Sequence, residues 1–135
     1  MTRINIIPVS ELTDQHLIAE YREITMVPAA LTRTLNSKAG FSKNKISTKF
    51  TLNTGHVYFF YDKGLYLSKR YNALINEMKR RGFSPDTDRK FPIDIFKNNN
   101  LYNDWNPRPH EYIIIRKRIE ERIKMKPQWY RMTKK

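Results

Sequence analysis

Apolar side chains recur at helical spacing in three separate segments of this 135-residue chain. The clearest segment runs from about Lys63 to Arg81, and its apolar stripe consists of Leu67, Tyr71, Leu74, Ile75 and Met78. Gly82 is well placed to end this helix, directly behind three cations. The three stripes predict a mostly α fold: a compact, single-domain, three-helix architecture with long irregular loops.

The first helical segment begins at Thr13 or Asp14, since either side chain could cap a helix. At about 100° per residue, one arc is apolar and consists of Leu17, Ile18, Tyr21 and Ile24. The opposite arc is polar around the small Ala19 and consists of Gln15, His16, Glu20, Arg22 and Glu23. Pro28 predicts a break near residues 25–28, followed by a shorter helical piece over residues 29–35.

The third helix is predicted to start near residues 107–109, where proline suits a first turn. Its apolar side consists of Tyr112, Ile115, Ile119 and Ile123, and its basic outer face of Arg116, Lys117, Arg118, Arg122 and Lys124. Residues 36–49 are predicted to form an exposed loop, and residues 50–61 a buried irregular or partly helical segment. Residues 84–105 are predicted to be mostly loop, with a short turn around residues 93–97.

The charge balance indicates the kind of partner. The chain has 26 Lys and Arg against 13 Asp and Glu, a net charge of +13. Such a surplus favours a polyanion, with nucleic acid as the first candidate, a membrane surface as the second and a merely basic soluble protein as the bland alternative. The absence of cysteine excludes disulfides and thiolate metal sites, and fits a reducing cytoplasm. We expect neither a membrane span nor a secretory signal, because no suitable apolar run is present.

The start of the chain indicates a possible chemistry. Thr2 is small, so we expect Met1 to be removed, which would leave a free α-amino group on Thr2. Such an amine has an ordinary pKa of about 7.7–8.0, so a sizeable fraction is neutral and nucleophilic near pH 7. It could form a Schiff base with a sugar aldehyde, and the Glu23 carboxylate could then move protons.

Four blocks of sequence carry a resemblance to a known family. They are residues 1–23 (opening MTRIN and closing TDQHLIAEYRE), residues 55–63 (GHVYFFYDK, followed by Leu67, Lys69 and Arg70), residues 79–83 (KRRGF) and residues 126–130 (KPQWY). In this order they span nearly the whole chain. The chain resembles the phage endonuclease V family of pyrimidine-dimer DNA glycosylases and abasic-site lyases.

The resemblance implies one compact, mostly helical domain over residues 1–135. It implies a cytoplasmic, nucleoid-associated monomer that needs no metal or cofactor and acts on double-stranded DNA carrying UV lesions. Thr2 would attack C1′ of the sugar at a cyclobutane pyrimidine dimer, and β-elimination through the resulting imine would cut the strand. Glu23 would stabilise the cationic intermediate and assist proton transfer.

The resemblance also implies DNA contacts. Residues that would grip phosphates or orient the sugar are Arg3, Gln15, His16 and Arg22. Nonspecific phosphate attraction is expected from Lys79, Arg80, Arg116 and Lys117. Trp129 and Tyr130 either pack against the first helix or stack on DNA, and His56 is expected to be a buried, hydrogen-bonded histidine.

Some positions depart from the family pattern. Met26 stands where the phage enzyme has a basic residue, three positions beyond the catalytic glutamate, and residues 29–49 match poorly. Two alternatives therefore remain open. One is a non-catalytic basic DNA-binding module, and the other is a lyase or glycosylase for a different base lesion.

Overall fold

The computed structural model describes residues 3–52, 55–86 and 88–133. In these ranges the α-helices are α1 (Asp14–Glu23), α2 (Met26–Leu35), α3 (His56–Phe59), α4 (Gly64–Arg80), α5 (Asp94–Asn98) and α6 (Pro109–Met125). Two 3-10 turns cover Val9–Glu11 and Lys43–Lys45. No β-strand occurs in the described ranges, so the predicted mostly α fold is confirmed.

The start of α1 is as predicted, whereas the break after it comes earlier than predicted, because residues 26–28 already form the first turn of α2. The Thr13 hydroxyl accepts a hydrogen bond from the His16 backbone N–H at 3.1 Å, which makes Thr13 the N-cap. α1 ends at Glu23 and α2 begins at Met26. Pro28 lies in the first turn of α2, where no intrahelical hydrogen bond is required of its nitrogen. The break places Glu23 at the last position of α1.

The end of α4 uses the glycine that the sequence indicated. Gly82 has a φ of 92°, a conformation that glycine adopts without a Cβ clash. The Gly82 N–H donates to the Lys79 carbonyl at 3.0 Å, and the Phe83 N–H donates to the Met78 carbonyl at 2.8 Å. This pair of bonds is a Schellman motif, which satisfies two carbonyls that the helix end would otherwise leave without partners.

The core forms where α1 packs against α4, and α6 contributes buried side chains to the same cluster. Its buried helical side chains include Leu17, Tyr21, Ile24, Leu67, Tyr71, Leu74, Ile115 and Ile119. An aromatic cluster extends the core beneath α3 and consists of Phe50, Phe59, Phe60 and Trp105, with ring centroids 5.2 to 6.2 Å apart. The short α3 helix confirms the prediction of a buried, partly helical segment over residues 50–61.

Glu20 lies on the predicted side of α1 but is buried there. It was placed on the polar arc, but its side chain is fully buried. Arg70 of α4 donates to its carboxylate twice, from Nε at 2.6 Å and from Nη2 at 3.0 Å. A cation from another helix thus makes burial of the carboxylate possible, and helical periodicity within α1 carries no information about that partner.

The first residue of α4 supports a prediction about close packing. A Cβ on Gly64 would lie 2.4 Å from Cγ of Phe96, a fully buried ring that cannot swing away. We expect Gly64→Ala to lower the free energy of unfolding by about 1–3 kcal/mol, because the α4 backbone must shift. Chemical denaturation measures this, with Asn72→Ala on the exposed face of α4 as the control. A Gly64→Ala midpoint equal to that of the control would contradict the close approach.

Candidate active site

A cleft of 290 Å³ lies between α1, α6, the chain segment before α1 and the C-terminal tail. Its lining residues are Arg3, Asn5, His16, Ala19, Glu20, Glu23, Arg118, Ile119, Arg122 and Tyr130. Three of the residues predicted from the resemblance to act at the lesion, Arg3, His16 and Glu23, therefore meet in one place. Thr2, the predicted nucleophile, lies outside the described residues.

Helical spacing explains the two long walls of the cleft. On α1, His16, Ala19 and Glu23 are separated by three and four residues, so they share one face. On α6, Arg118 and Arg122 are separated by four residues and face the same space. Ala19 has a small side chain, which keeps the middle of the α1 wall open.

The Glu23 carboxyl is the group of the cleft whose environment suits acid–base chemistry. Burial raises its pKa, the negative charge of Glu20 raises it further, and the positive charge of Arg3 acts in the opposite direction. Glu20 is already engaged by Arg70, whereas no hydrogen-bonded ion pair within the described ranges occupies Glu23. A partly buried carboxyl with a raised pKa holds its proton more readily than an exposed one, which suits a group that both takes up and releases protons.

Three guanidinium groups converge on the same cleft. Burial lowers the pKa of Arg3, and so do the positive charges of Arg118 and Arg122. The Arg118 Nε is buried and has no hydrogen-bond partner among the described residues. Because a buried donor without a partner is costly, this atom is suited to an anionic oxygen of a ligand.

His16 forms the floor beside the C-terminal tail. Its Nδ1 lies 2.6 Å from the Thr13 hydroxyl, and its ring stacks on Tyr130 with centroids 4.8 Å apart. Burial lowers the pKa of His16, and Arg122 and Arg3 lower it further against the opposing charge of Glu20. The imidazole is therefore predominantly neutral at physiological pH, and acts here as a polar, stacked surface.

The C-terminal tail is fastened to the start of α1. The Gln15 amide donates to the Trp129 carbonyl at 2.7 Å and accepts from the Arg131 N–H at 2.9 Å. Thr133 donates to the Asp14 carboxylate from its hydroxyl and its backbone. Gln15 thus positions the tail that brings Tyr130 into the cleft, while the Trp129 ring stays exposed.

The remaining predicted DNA-binding residues do not line the cleft. Arg80 donates to Glu77, and Arg116 pairs with Glu11 at 2.9 Å. Three others are exposed elsewhere on the helices: Arg22, Lys79 and Lys117. Any role of these five residues in binding DNA is therefore through phosphates away from the cleft.

Arg118 and Arg122 are the cleft residues whose position the sequence analysis missed. They were placed on the outer face of the third helix together with Lys117 and Lys124. Their position around the helix could have revealed them. Residues 118 and 122 flank the buried stripe of Ile115 and Ile119, whereas Lys117 points away from it. The unassigned Asn5 also lines the cleft.

A cationic cleft with one carboxyl that forms no ion pair among the described residues is typical of a protein that works on a polyanion. None of the helices within residues 3–52, 55–86 and 88–133 is long and apolar enough to span a membrane. The family model described as pyrimidine dimer DNA glycosylase matches residues 1–91, which is 91 of 135 residues.

The chain belongs to the pyrimidine dimer DNA glycosylase family. The resemblance noted from the sequence is therefore confirmed at the level of the family, and the protein is a DNA repair glycosylase. The matched residues include Arg3, His16 and Glu23, whereas Arg118 and Arg122 lie beyond them.

Proposed function

We propose that this protein excises cyclobutane pyrimidine dimers from double-stranded DNA and cuts the resulting abasic site by β-elimination, through an imine formed by the α-amino group of Thr2. The observation that carries the proposal is the cleft itself, in which Glu23 with its raised pKa lies among the guanidinium groups of Arg3, Arg118 and Arg122. The chain enters this cleft at Arg3, one residue after Thr2.

The proposed reaction begins once Met1 has been removed. The neutral Thr2 amine attacks C1′ of the damaged nucleotide, and the glycosidic bond breaks with its electron pair leaving on the base. The attached nitrogen passes one proton to the ring oxygen as the bond between C1′ and that oxygen breaks, which opens the sugar and gives a protonated imine between the protein and C1′. This cation acidifies the C2′ hydrogen, and loss of that proton expels the 3′ phosphate oxygen by β-elimination.

The residues of the cleft have separate roles in this scheme. Glu23 in its ionised form stabilises the protonated imine and receives the C2′ proton. The positive charges of Arg3 and its neighbours disfavour protonation of a nearby amine, which keeps more of it nucleophilic. The Nε of Arg118, which has no partner among the described residues, would donate to a phosphate oxygen of the DNA.

Lesion selection in this proposal relies on the DNA more than on base contacts. A pyrimidine dimer is rigid and stacks poorly, so distorting the duplex around it costs less than distorting undamaged DNA. A narrow cleft lined by cations and one aromatic ring therefore favours the damaged site without reading a base edge.

Borohydride trapping tests the function directly. The protein is incubated with a duplex carrying one cis-syn thymine dimer, and sodium borohydride reduces any imine to a stable adduct. We expect an adduct that maps to Thr2 on the dimer duplex and on an abasic duplex, and none on undamaged DNA. An adduct on the abasic duplex alone would leave a lyase with a different lesion, and no adduct on either would favour the binding module.

The two faces of α6 give a prediction about DNA binding. Replacing Arg118 and Arg122 with Ala should flatten the slope of log affinity against log salt by about 2, because each lost phosphate contact removes roughly 0.9 from it. The matched double variant replaces Arg116 and Lys117, which carry equal charge on the exposed face. A salt slope of the Arg118 and Arg122 double variant equal to that of the wild-type protein would contradict a role of the cleft face in binding.

A further inference from the structure

Buried polar side chains from three helices hold the N-terminal arm, residues 3–7. The Ile4 N–H donates to Nε2 of His56 in α3 at 2.9 Å. The Asn5 N–H donates to the Glu20 carboxylate in α1 at 3.1 Å. Arg70 of α4, which also binds Glu20, donates to the Ile7 carbonyl. The path of this arm is therefore set by long-range contacts and by no regular secondary structure.

The arm is also bent into an unfavourable conformation. Ile6 has a φ of 47°, and the Ile7 N–H donates to the Asn5 carbonyl across it, which forms a γ-turn. A β-branched residue rarely adopts a positive φ, because its side chain crowds the backbone. Such a turn persists only where the surrounding contacts leave the chain no alternative, and strain of this kind is concentrated at functional sites.

Hydrogen bonding fixes His56 in the tautomer that can accept a hydrogen bond from the Ile4 N–H. Its Nδ1 lies 2.7 Å from the Thr51 carbonyl, so Nδ1 carries the proton and Nε2 is the acceptor. The rings of Phe50 and Phe60 stand edge-on to the imidazole at 5.4 and 5.3 Å. Burial lowers the pKa of His56. Two charged groups also face the ring: the positive charge of Arg3 lowers this pKa, and the negative charge of Glu20 raises it.

We propose that His56 is a positioning residue for the imine chemistry: by fixing the Ile4 amide, it sets where the Thr2 amine can reach in the cleft, with Glu20 as the second anchor. The inference rests on the proposed function. Two residues of chain span at most about 7 Å, so an anchored Ile4 amide limits the reach of the amine to about that distance from it. Misplacing a nucleophile by about 1 Å can cost about 10²-fold in rate.

Two amide substitutions separate positioning from folding. His56→Gln places an amide oxygen near the position of Nε2, so it keeps an acceptor for Ile4 and loses the donor to Thr51. His56→Asn places an amide nitrogen near Nδ1, so it keeps the donor to Thr51 and loses the acceptor for Ile4. Each variant removes one buried hydrogen bond, so their thermal stabilities should fall by similar amounts.

The measurements are the single-turnover rate of borohydride-trappable adduct formation on an abasic duplex, and the Kd for the same duplex. We expect His56→Asn to lower the rate by about 10²-fold with Kd unchanged, and His56→Gln to restore most of the rate. If the wild type forms the adduct and the two variants are equally stable but react at equal rates, the positioning role is overturned while the proposed function stands. Absence of a wild-type adduct would overturn the proposed function and this inference with it.

Amide hydrogen exchange of the wild-type protein provides a check that needs no variant. The Ile4 amide should exchange as slowly as the amides in the middle of α4, because its acceptor is a buried ring nitrogen. Exchange of Ile4 as fast as that of an exposed loop amide would overturn the anchor whether or not the variants fold.

Discussion

Replacing Glu23 with Gln is expected to lower the rate of dimer excision by about 10²–10⁴-fold, the usual contribution of an acid–base group. Glutamine keeps the size of the side chain but can neither hold a negative charge beside the imine nor accept the C2′ proton. Binding of the dimer duplex should be kept or become tighter, because the change removes a negative charge from a cleft lined by Arg3, Arg118 and Arg122. Excision and affinity are measured on the same duplex.

The same substitution should raise the melting temperature. Because burial raises the pKa of Glu23 in the folded state, the folded protein binds this proton more tightly than the unfolded chain does. Stability therefore falls as pH rises from the unfolded to the folded pKa of this group, and the ionised form remains unfavourable at neutral pH. A catalytic group that costs stability is a common trade-off.

The matched control for Glu23→Gln is Glu120→Gln, which makes the same charge change on the exposed face of α6. This control should excise dimers at the wild-type rate and melt near the wild-type temperature. Excision retained by Glu23→Gln would refute the assigned role, and a lowered melting temperature would refute the account of its burial.

Replacing Arg70 with Met is expected to lower the free energy of unfolding by about 3–5 kcal/mol. The substitution leaves the buried carboxylate of Glu20 without the two hydrogen bonds, of 2.6 and 3.0 Å, that compensate its charge. It also removes the donor to the Ile7 carbonyl, which supports the strained turn at Ile6. Denaturant unfolding measures the loss, provided that the slope of the free energy of unfolding against denaturant concentration is the same for both proteins.

Two comparisons isolate the cause of that loss. Lys69→Met breaks the neighbouring Lys69–Asp104 pair, whose side chains are 62% and 44% exposed, and should cost at most about 1 kcal/mol. The double variant of Glu20→Gln and Arg70→Met contains no buried charge at this position, so it should be more stable than Arg70→Met alone. A double variant less stable than the single one would show that packing, and not the stranded charge, causes the loss.

Most helix boundaries could be predicted from the sequence because they depend on neighbouring residues. The Thr13 cap, the break before Pro28 and the Gly82 stop act within one turn of the chain. The apolar stripe of α4 follows from the helical repeat, and its members are buried or partly buried as expected. The class of the fold therefore follows from local patterns.

The candidate site could be predicted only in part. Arg3, His16 and Glu23 belong to the block that carries the family resemblance, and the structure brings them to one cleft. Arg118 and Arg122 escaped detection because α6 carries five basic residues between positions 116 and 124, and the cleft face differs from the exposed face only by register against α1.

The contrast between Glu20 and Glu23 shows what the tertiary structure decided. The sequence alone determined that both acids lie on one side of α1, in a strongly basic helical protein of this family. It contained no indication of which acid would be neutralised, because the partner, Arg70, is 50 residues away and meets Glu20 only when α4 packs on α1. Packing therefore makes Glu20 an anchor and leaves Glu23 available for chemistry, because a buried charge is stabilised by whatever group folding brings within hydrogen-bond distance.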